Sequence, residues 1–328
     1  MIRSVFCALA TMVTIIHAPA HADDTPEWRI VIHGGAGVIL RENLSVEREA
    51  AYTAALETSL KAGGDVLASG GSAVDAVQAA VLTMEDDPLF NAGRGAVMTA
   101  ARIHELDASI MDGRDRNAGA VAGVTRVRNP ILAARAVMDQ SEHVMFAGPG
   151  ADNFAETAGL EMVDNSYFTT ERRSQALDRV LREQTRTDAD RHGTVGAVAI
   201  DRQGNIAAAT TTGGMTAKAA GRVGDSPIIG AATYAQNGVC AVSATGHGEY
   251  FIRVGVAKTI CSRVELAGET IVAAAENALG QVETLGGDGG VIVMGGEGQY
   301  AFVFNSAGMY RGMMDASGTL ETAIFAAE

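Results

Sequence analysis

Gly193-Thr194, inside the run RHGTVGAVAID, joins a polar stretch to an apolar one, with threonine at the junction. An internal threonine hydroxyl is a weak nucleophile. Cutting the bond before Thr194 changes that, because the freed α-amine, with a reference pKa of about 7.7–8, is a base within reach of its own Oγ. Glycine at 193 has no Cβ, so it tolerates the backbone that brings Thr194 Oγ to the preceding carbonyl. A Gly-Thr pair is also an ordinary turn-to-strand junction, so the chemistry needs partners elsewhere in the chain.

Three glycine-bounded polar segments supply candidates: TTTGGM at 210–215, GRVGD at 221–225 and ATGHGE at 244–249. Gly246 and Gly248 let backbone groups approach a ligand, and the Thr245 hydroxyl beside the Gly246 N–H makes a candidate oxyanion hole. Arg222 offers a fork for a carboxylate, and Asp225, three residues on, offers an anion for an ammonium. Together they match the two charged groups of a free amino acid. On their own they read equally as a surface ion pair.

The elements that must position these residues alternate sheet and helix. Residues 29–33 read as a short buried strand ending in GGAG at 34–37, with helical patterns at 46–60 and after Gly70-Gly71 through Val74, Val77 and Val81. A glycine-punctuated loop (88–95) precedes a strand over 118–127, and Asn129-Pro130 opens a helix through Val137. Residues 195–200 and 206–212 read as a hairpin around DRQGN, and 239–244 as a third strand. Ile252, Val256, Ile260 and Val264 mark one helix, 270–279 a second, and 290–294 with 299–305 a further hairpin. Hairpins on either side of a helix pair exclude a purely parallel doubly wound sheet and fit sheets covered by helices. Ahead of Thr194, residues 167–191 are rich in charged and polar side chains. A weak stripe of Ala176, Leu177, Val180 and Leu181 would make a surface helix, but the composition equally suits a mobile linker over 167–193 that exposes the cut site.

The N-terminus has its own pattern. One basic residue, Arg3, precedes an apolar stretch at 5–16 and an Ala20-His21-Ala22 motif, which is expected to be a signal peptide (1–22) removed for the periplasm or secretion. The stretch is too short for a membrane span. Losing Arg3 takes the formal net charge from −14 to −15, and no basic patch with interleaved aromatics exists, arguing against nucleic acid or an anionic membrane as partner. Cys7 leaves with the leader. Cys240 and Cys261 remain and are able to pair in an oxidising compartment, although buried free thiols are the expectation. His104, Glu105 and Asp107 suggest a divalent metal, but no second ligand cluster supports them. HGGAG lacks the lysine and glycine spacing of phosphate-binding loops.

The motifs HGGAG, GGSAVDAV, PLFNAGRGAV, HELDASIMDG, NPILAAR, HGTVGAVAID, TTTGGM, GRVGDSPIIGAATYA, TGHGE and GMYR run in order from His33 to Arg311. They resemble the plant-type asparaginase/isoaspartyl peptidase family of N-terminal nucleophile hydrolases. The resemblance implies an α+β fold, a four-layer αββα sandwich. It also implies self-cleavage into an α subunit (23–193) and a β subunit (194–328), assembly as an (αβ)₂ dimer, and hydrolysis of β-aspartyl dipeptides and L-asparagine. By position, Thr194 resembles the nucleophile and Thr212 the hydroxyl that steadies it. Arg222 and Asp225 resemble the groups for substrate carboxylate and amine, with Gly248 a backbone contact to the amine. Thr245 and Gly246 resemble the oxyanion hole, and Asn91 the asparagine beneath the nucleophile. No catalytic cofactor is implied. A structural sodium ion is, wrapped by backbone carbonyls of Met84, Glu85, Asp87, Phe90, Ala92 and Arg94, while HELDA is structural in the family. The stretch before Thr194 is shorter than in some relatives, which bears on the rate of self-cleavage. The rival readings are a glycosylasparaginase, which shares the nucleophile, Arg and Asp, and an uncleaved periplasmic protein that only binds amino acids.

Overall fold

Period-two alternation sorts the central strands of this computed structural model, which describes residues 13–16, 27–37, 39–185 and 193–326. In β2 (Arg29–Gly37), Ile30 and Ile32 enter one apolar cluster and Val31 the other. In β6 (Val195–Ile200), Val195, Ala197 and Ala199 separate likewise from Val198 and Ile200; in β7 (Ile206–Thr212), Ala207 and Ala209 separate from Ile206 and Ala208. Strands buried on both faces must lie in a sheet covered on both sides.

That sheet has eight strands in the order β13-β12-β2-β6-β7-β3-β4-β5. Its other members are β3 (Leu106–Asp112), β4 (Ala118–Val124), β5 (Met145–Ala147), β12 (Gly308–Asp315) and β13 (Leu320–Phe325). Pairing is antiparallel except between β4 and β5. A second, antiparallel sheet runs β1-β11-β10-β9-β8, from β1 (Val13–Ile16), β8 (Thr233–Gln236), β9 (Cys240–Gly246), β10 (Gly289–Gly295) and β11 (Tyr300–Phe304). The two sheets face each other, β9 lying against β2, β6 and β7.

Helices cover the outer faces. α1 (Val46–Ala68), α2 (Ala73–Asp86) and α3 (Pro130–Gln140) bury Leu56, Leu60, Val77, Val81, Ile131 and Val137 against the larger sheet. α4 (Gly148–Thr157) packs beside β4, and α5 spans Glu171–Glu183. α6 (Gly248–Val254), α7 (Val256–Ala267) and α8 (Ile271–Thr284) complete the elements, the last two packing on the smaller sheet. The layers are therefore helix, sheet, sheet, helix. Side-chain caps start four of these helices: Ser45, Ser72, Thr170 and Thr270 each accept from the backbone N–H three residues on, at 3.3, 3.2, 3.3 and 3.2 Å. Among the described residues no helix is long and apolar enough to cross a membrane.

Three expectations are corrected. The period-four run Ile252 to Val264 is two helices, because Gly255 takes φ 63°, ψ 48°, a left-handed turn that ends α6 and starts α7. The polar stretch ahead of Thr194 is mostly not a linker. Residues 165–168 form a 3-10 turn, and Thr170 caps α5 by accepting from Arg173 N at 3.3 Å. Leu177 and Val180 pack with Met98 and Ala217, and the buried Arg173 Nε donates to Gly95 O at 2.6 Å. Only 186–192 of that stretch, like most of the expected leader, falls outside the described residues. Finally, Cys240 at the start of β9 and Cys261 on α7 are joined in a disulfide, with Cα atoms 5.5 Å apart.

That disulfide closes a loop between residues 21 apart, which is worth about 3 kcal/mol. The Cys240→Ala, Cys261→Ala double variant is expected to melt several degrees lower; an unchanged Tm would contradict a formed bridge.

Candidate active site

Thr194 immediately precedes β6 and is 6 % exposed. Strand parity places it with Gly196 and Val198 on the face turned toward the smaller sheet, and Thr210 and Thr212 of β7 share that face. Thr194 Oγ1 donates to Thr212 Oγ1 at 3.2 Å, and Gly214 N donates to the same oxygen at 3.0 Å. Gly193 has φ 138°, a region that disfavours side chains, and a Cβ there would lie 2.8 Å from Asn91 Cβ. From the other side comes Gly35, φ 112°, whose Cβ would lie 2.8 Å from Gly193 Cα. Two bare backbones thus meet at the expected cut site. Asn91 ties its loop to TTTGGM: Nδ2 donates to Gly214 O at 2.7 Å, its carbonyl accepts from Gly213 N at 2.9 Å, and Oδ1 accepts from Val97 N at 2.9 Å.

Beneath Thr194 runs a network of buried side chains from both sheets. His33 Nδ1 lies 3.1 Å from the Thr194 carbonyl oxygen. A carbonyl only accepts, so Nδ1 carries the hydrogen and Nε2 accepts from Ser243 Oγ at 2.9 Å. Thr210 Oγ1 then donates to Ser243 Oγ at 2.7 Å and Thr233 Oγ1 to Thr210 Oγ1 at 2.6 Å, with Ser109 Oγ 2.7 Å from Thr233 Oγ1, linking the two sheets. Burial drives the His33 pKa down to about 3 despite its bond to Thr194, so the ring is neutral at physiological pH.

A second group forms around Arg222. Its partner is not Asp225 but Glu249, in the first turn of α6: Nε and Nη2 each donate to one carboxylate oxygen at 2.9 Å. Burial would raise the Glu249 pKa, but the bonds and charge of Arg222 outweigh it and hold the carboxyl below its ordinary range. Asp225 is 4 % exposed and its Oδ2 has no hydrogen-bond partner among the described residues. Burial pushes its pKa up to about 7, its own backbone N–H and Arg222 pulling down while Glu249 and Asp107 push up. A Cβ on Gly248 would sit 2.8 Å from Asp225 Oδ1, and one on Gly214 3.3 Å from Arg222 Nη1, so the Gly213-Gly214 backbone joins this group to the nucleophile.

Thr245 and Gly246, at the end of β9, reach the nucleophile through β2. Thr245 Oγ1 accepts from Ala36 N at 3.3 Å, next to the Gly35 that touches Gly193, which leaves the hydroxyl hydrogen to donate. The HELDA residues hold neighbouring loops. His104 bonds Val97 O at 3.1 Å and Thr169 Oγ1 at 3.0 Å, the Glu105 carboxylate accepts from Gly221 N just before Arg222, and Asp107 Oδ1 accepts from Gly123 N at 2.8 Å.

The 84–94 segment runs from the end of α2 into a tight loop. Asp87 O accepts from Phe90 N at 3.2 Å and Ala92 O from Gly95 N at 3.0 Å, while the Glu85 and Phe90 carbonyls face Gly93 and Gly95. The Glu85 side chain is fully buried. Its Oε1 accepts from Thr211 Oγ1 at 2.7 Å and Ile131 N at 3.0 Å, and Oε2 has no partner among the described residues. Burial, against these hydrogen bonds, pushes its pKa up to about 8.

An asparaginase family model matches residues 26–324. The isoaspartyl peptidase of Escherichia coli K12 is 47 % identical over 306 residues, covering 90 % of this chain and 95 % of that protein. The mouse isoaspartyl peptidase/L-asparaginase is 41 % identical (92 % and 91 % covered) and its human counterpart 42 % identical (85 % and 91 % covered).

Folded Glu85 keeps its proton up to about pH 8, whereas the unfolded chain releases it near the ordinary glutamate value of 4.5. The stability it contributes is fully present below that lower value and is lost as pH rises through about 8. Melting temperatures from pH 5 to 8.5 should therefore fall more steeply in the wild type than in Glu85→Gln. Parallel profiles would contradict a buried, protonated Glu85.

Proposed function

Because the chain belongs to the asparaginase family matched across residues 26–324, we propose that it is an isoaspartyl peptidase with L-asparaginase activity, working through an N-terminal threonine. The observation that carries this reading is the 3.2 Å contact of Thr194 Oγ1 with Thr212 Oγ1 beside a bare, positive-φ Gly193. Self-cleavage transfers the Gly193 acyl group from nitrogen to Thr194 Oγ, and water releases it as a carboxylate, leaving a free α-amine on Thr194. That amine then takes the Oγ proton while Oγ attacks the side-chain amide carbonyl of the substrate. Thr212 accepts from the hydroxyl in the resting state and fixes its rotamer; His33 fixes the Thr194 carbonyl behind it.

The oxyanion is stabilised by the Thr245 hydroxyl and Gly246 N–H. Arg222 binds the α-carboxylate, and Asp225 with the Gly248 backbone binds the ammonium. Ammonia or an amino acid leaves with the proton held by the α-amine, and water hydrolyses the β-aspartyl ester. The unpartnered Asp225 Oδ2 supports a cationic ligand, since a buried carboxylate without a partner is costly.

Three further assignments belong to the same reading. Cleaved chains pair as (αβ)₂. The Cys240–Cys261 bridge supports an oxidising compartment, periplasmic or extracellular, reached through the 1–22 leader. A sodium ion would be held by carbonyls of the 84–94 loop, where Glu85 and Phe90 oxygens crowd the glycines and the end of α2 leaves carbonyls without intrahelical partners; it would stiffen the loop that carries Asn91. The names of the relatives favour an isoaspartyl peptidase over a glycosylasparaginase or a non-catalytic binder.

The purified protein is expected to release aspartate from β-aspartyl-leucine and from L-asparagine; preferential hydrolysis of a glycosylated asparagine would overturn the choice. Asp225 becomes anionic as pH rises through about 7, so KM for L-asparagine should fall over that interval. A KM that is flat from pH 5.5 to 8.5 would remove Asp225 from ammonium binding.

A further inference from the structure

Arg222 reaches the site already occupied along one edge. Glu249 takes Nε and Nη2 in a fork-to-fork pair, both bonds at 2.9 Å, while the arginine and glutamate side chains are 15 % and 45 % exposed. That leaves Nη1 and the second hydrogen of Nη2. Three glycines border this remaining edge: a Cβ on Gly224 would lie 2.9 Å from Nη1, on Gly214 3.3 Å from Nη1, and on Gly248 3.1 Å from Nη2, with Lys218 Nζ 3.1 Å from the Gly214 position and Asp225 Oδ1 2.8 Å from the Gly248 position. Those spots lie near hydrogen-bonding distance from the guanidinium, where a ligand oxygen belongs, and three missing side chains keep them open.

We propose that Glu249 is a positioning residue: its carboxylate clamps the Nε edge of Arg222 so that the Nη1–Nη2 edge faces the glycine-lined cradle and receives the α-carboxylate of the substrate. The assignment rests on the amino-acid-type substrate proposed above. It gives the first turn of α6 a defined part in recognition, next to the Gly248 that borders Asp225. Neighbouring groups reinforce the same orientation. The Glu105 carboxylate fixes the Gly221 N–H at 3.0 Å, and Arg222 N bonds Ala219 O at 3.0 Å, so the backbone before the guanidinium is held as well as its tip. Arg222 without its clamp has several rotatable bonds and no other carboxylate bonded to it among the described residues, so binding would have to order it afresh.

The test is a kinetic cycle of Glu249→Ala, Arg222→Ala and the double variant on L-asparagine, with Glu249→Asp as the conservative exchange. Glu249→Ala is expected to raise KM about tenfold with kcat within about threefold of wild type, the signature of lost binding. Glu249→Asp should recover part of that loss, and removing Glu249 from the Arg222→Ala background should cost nothing more. An unchanged or lowered KM, a fall in kcat alone, or fully additive losses would overturn the proposal. Calorimetric titration with L-aspartate separates its failure from that of the catalytic reading. A wild type that binds aspartate but hydrolyses nothing sinks the catalytic reading alone. Equal aspartate affinity in wild type and Glu249→Ala sinks the clamp, and a wild type that binds no aspartate sinks both.

Discussion

A strand buried on both faces, with the threonine just before it turned to the inter-sheet layer, is the constraint on which the site depends. β6 has no solvent face to absorb an error of register. A slip of one residue would send Thr194 toward the helices and put Val195 between the sheets. The pairings Val195 with Thr211 and Gly196 with Thr210 on one side, and His33 with Gly196 on the other, hold that register. They also bring Thr212 to the nucleophile. At Gly193 the same constraint becomes steric, because Gly35 and Asn91 close on it from two directions and leave no space for a side chain.

The inter-sheet layer is divided. One end is filled by Val31, Met111, Val198, Ile200, Ile206 and Ala208; the other carries His33, Asp107, Ser109, Thr194, Thr210, Thr212, Ser243 and Thr245. Alternation makes both ends from the same strands, so the candidate site is an extension of the core. His33, Ser243, Thr210 and Ser109 join with Thr233 in a neutral hydroxyl–imidazole chain, Asp107 Oδ1 accepts from Gly123 N, and Arg222, Glu249 and Asp225 form a separate charged group. Keeping His33 neutral avoids a buried cation beneath the nucleophile.

Much of this was legible in the residues, and the rest was hidden for physical reasons. Thr194, Arg222 and Asp225 stand in short glycine-marked segments that make them candidates, Thr212 is singled out by the family resemblance, and the β6–β7 hairpin follows from alternation across DRQGN. Glu249 was visible only as part of ATGHGE, because its partner lies 27 residues away and pairing at that distance depends on the fold. His33 meets Thr194 across 161 residues and Ser243 across 210, so nothing local marks it as more than a strand end. α5 was obscured by its polarity: two buried apolar residues and one buried arginine suffice to dock it. A count of two cysteines says nothing of geometry, and only the packing of α7 on β9 brings Cys240 and Cys261 together.

On the proposed mechanism Thr194 becomes a chain terminus whose amine activates its own hydroxyl. Intact mass with N-terminal sequencing of the purified, active protein addresses it most directly. Two polypeptides are expected, one beginning Thr-Val-Gly at Thr194. A single uncut chain that hydrolyses β-aspartyl-leucine at full rate would contradict it.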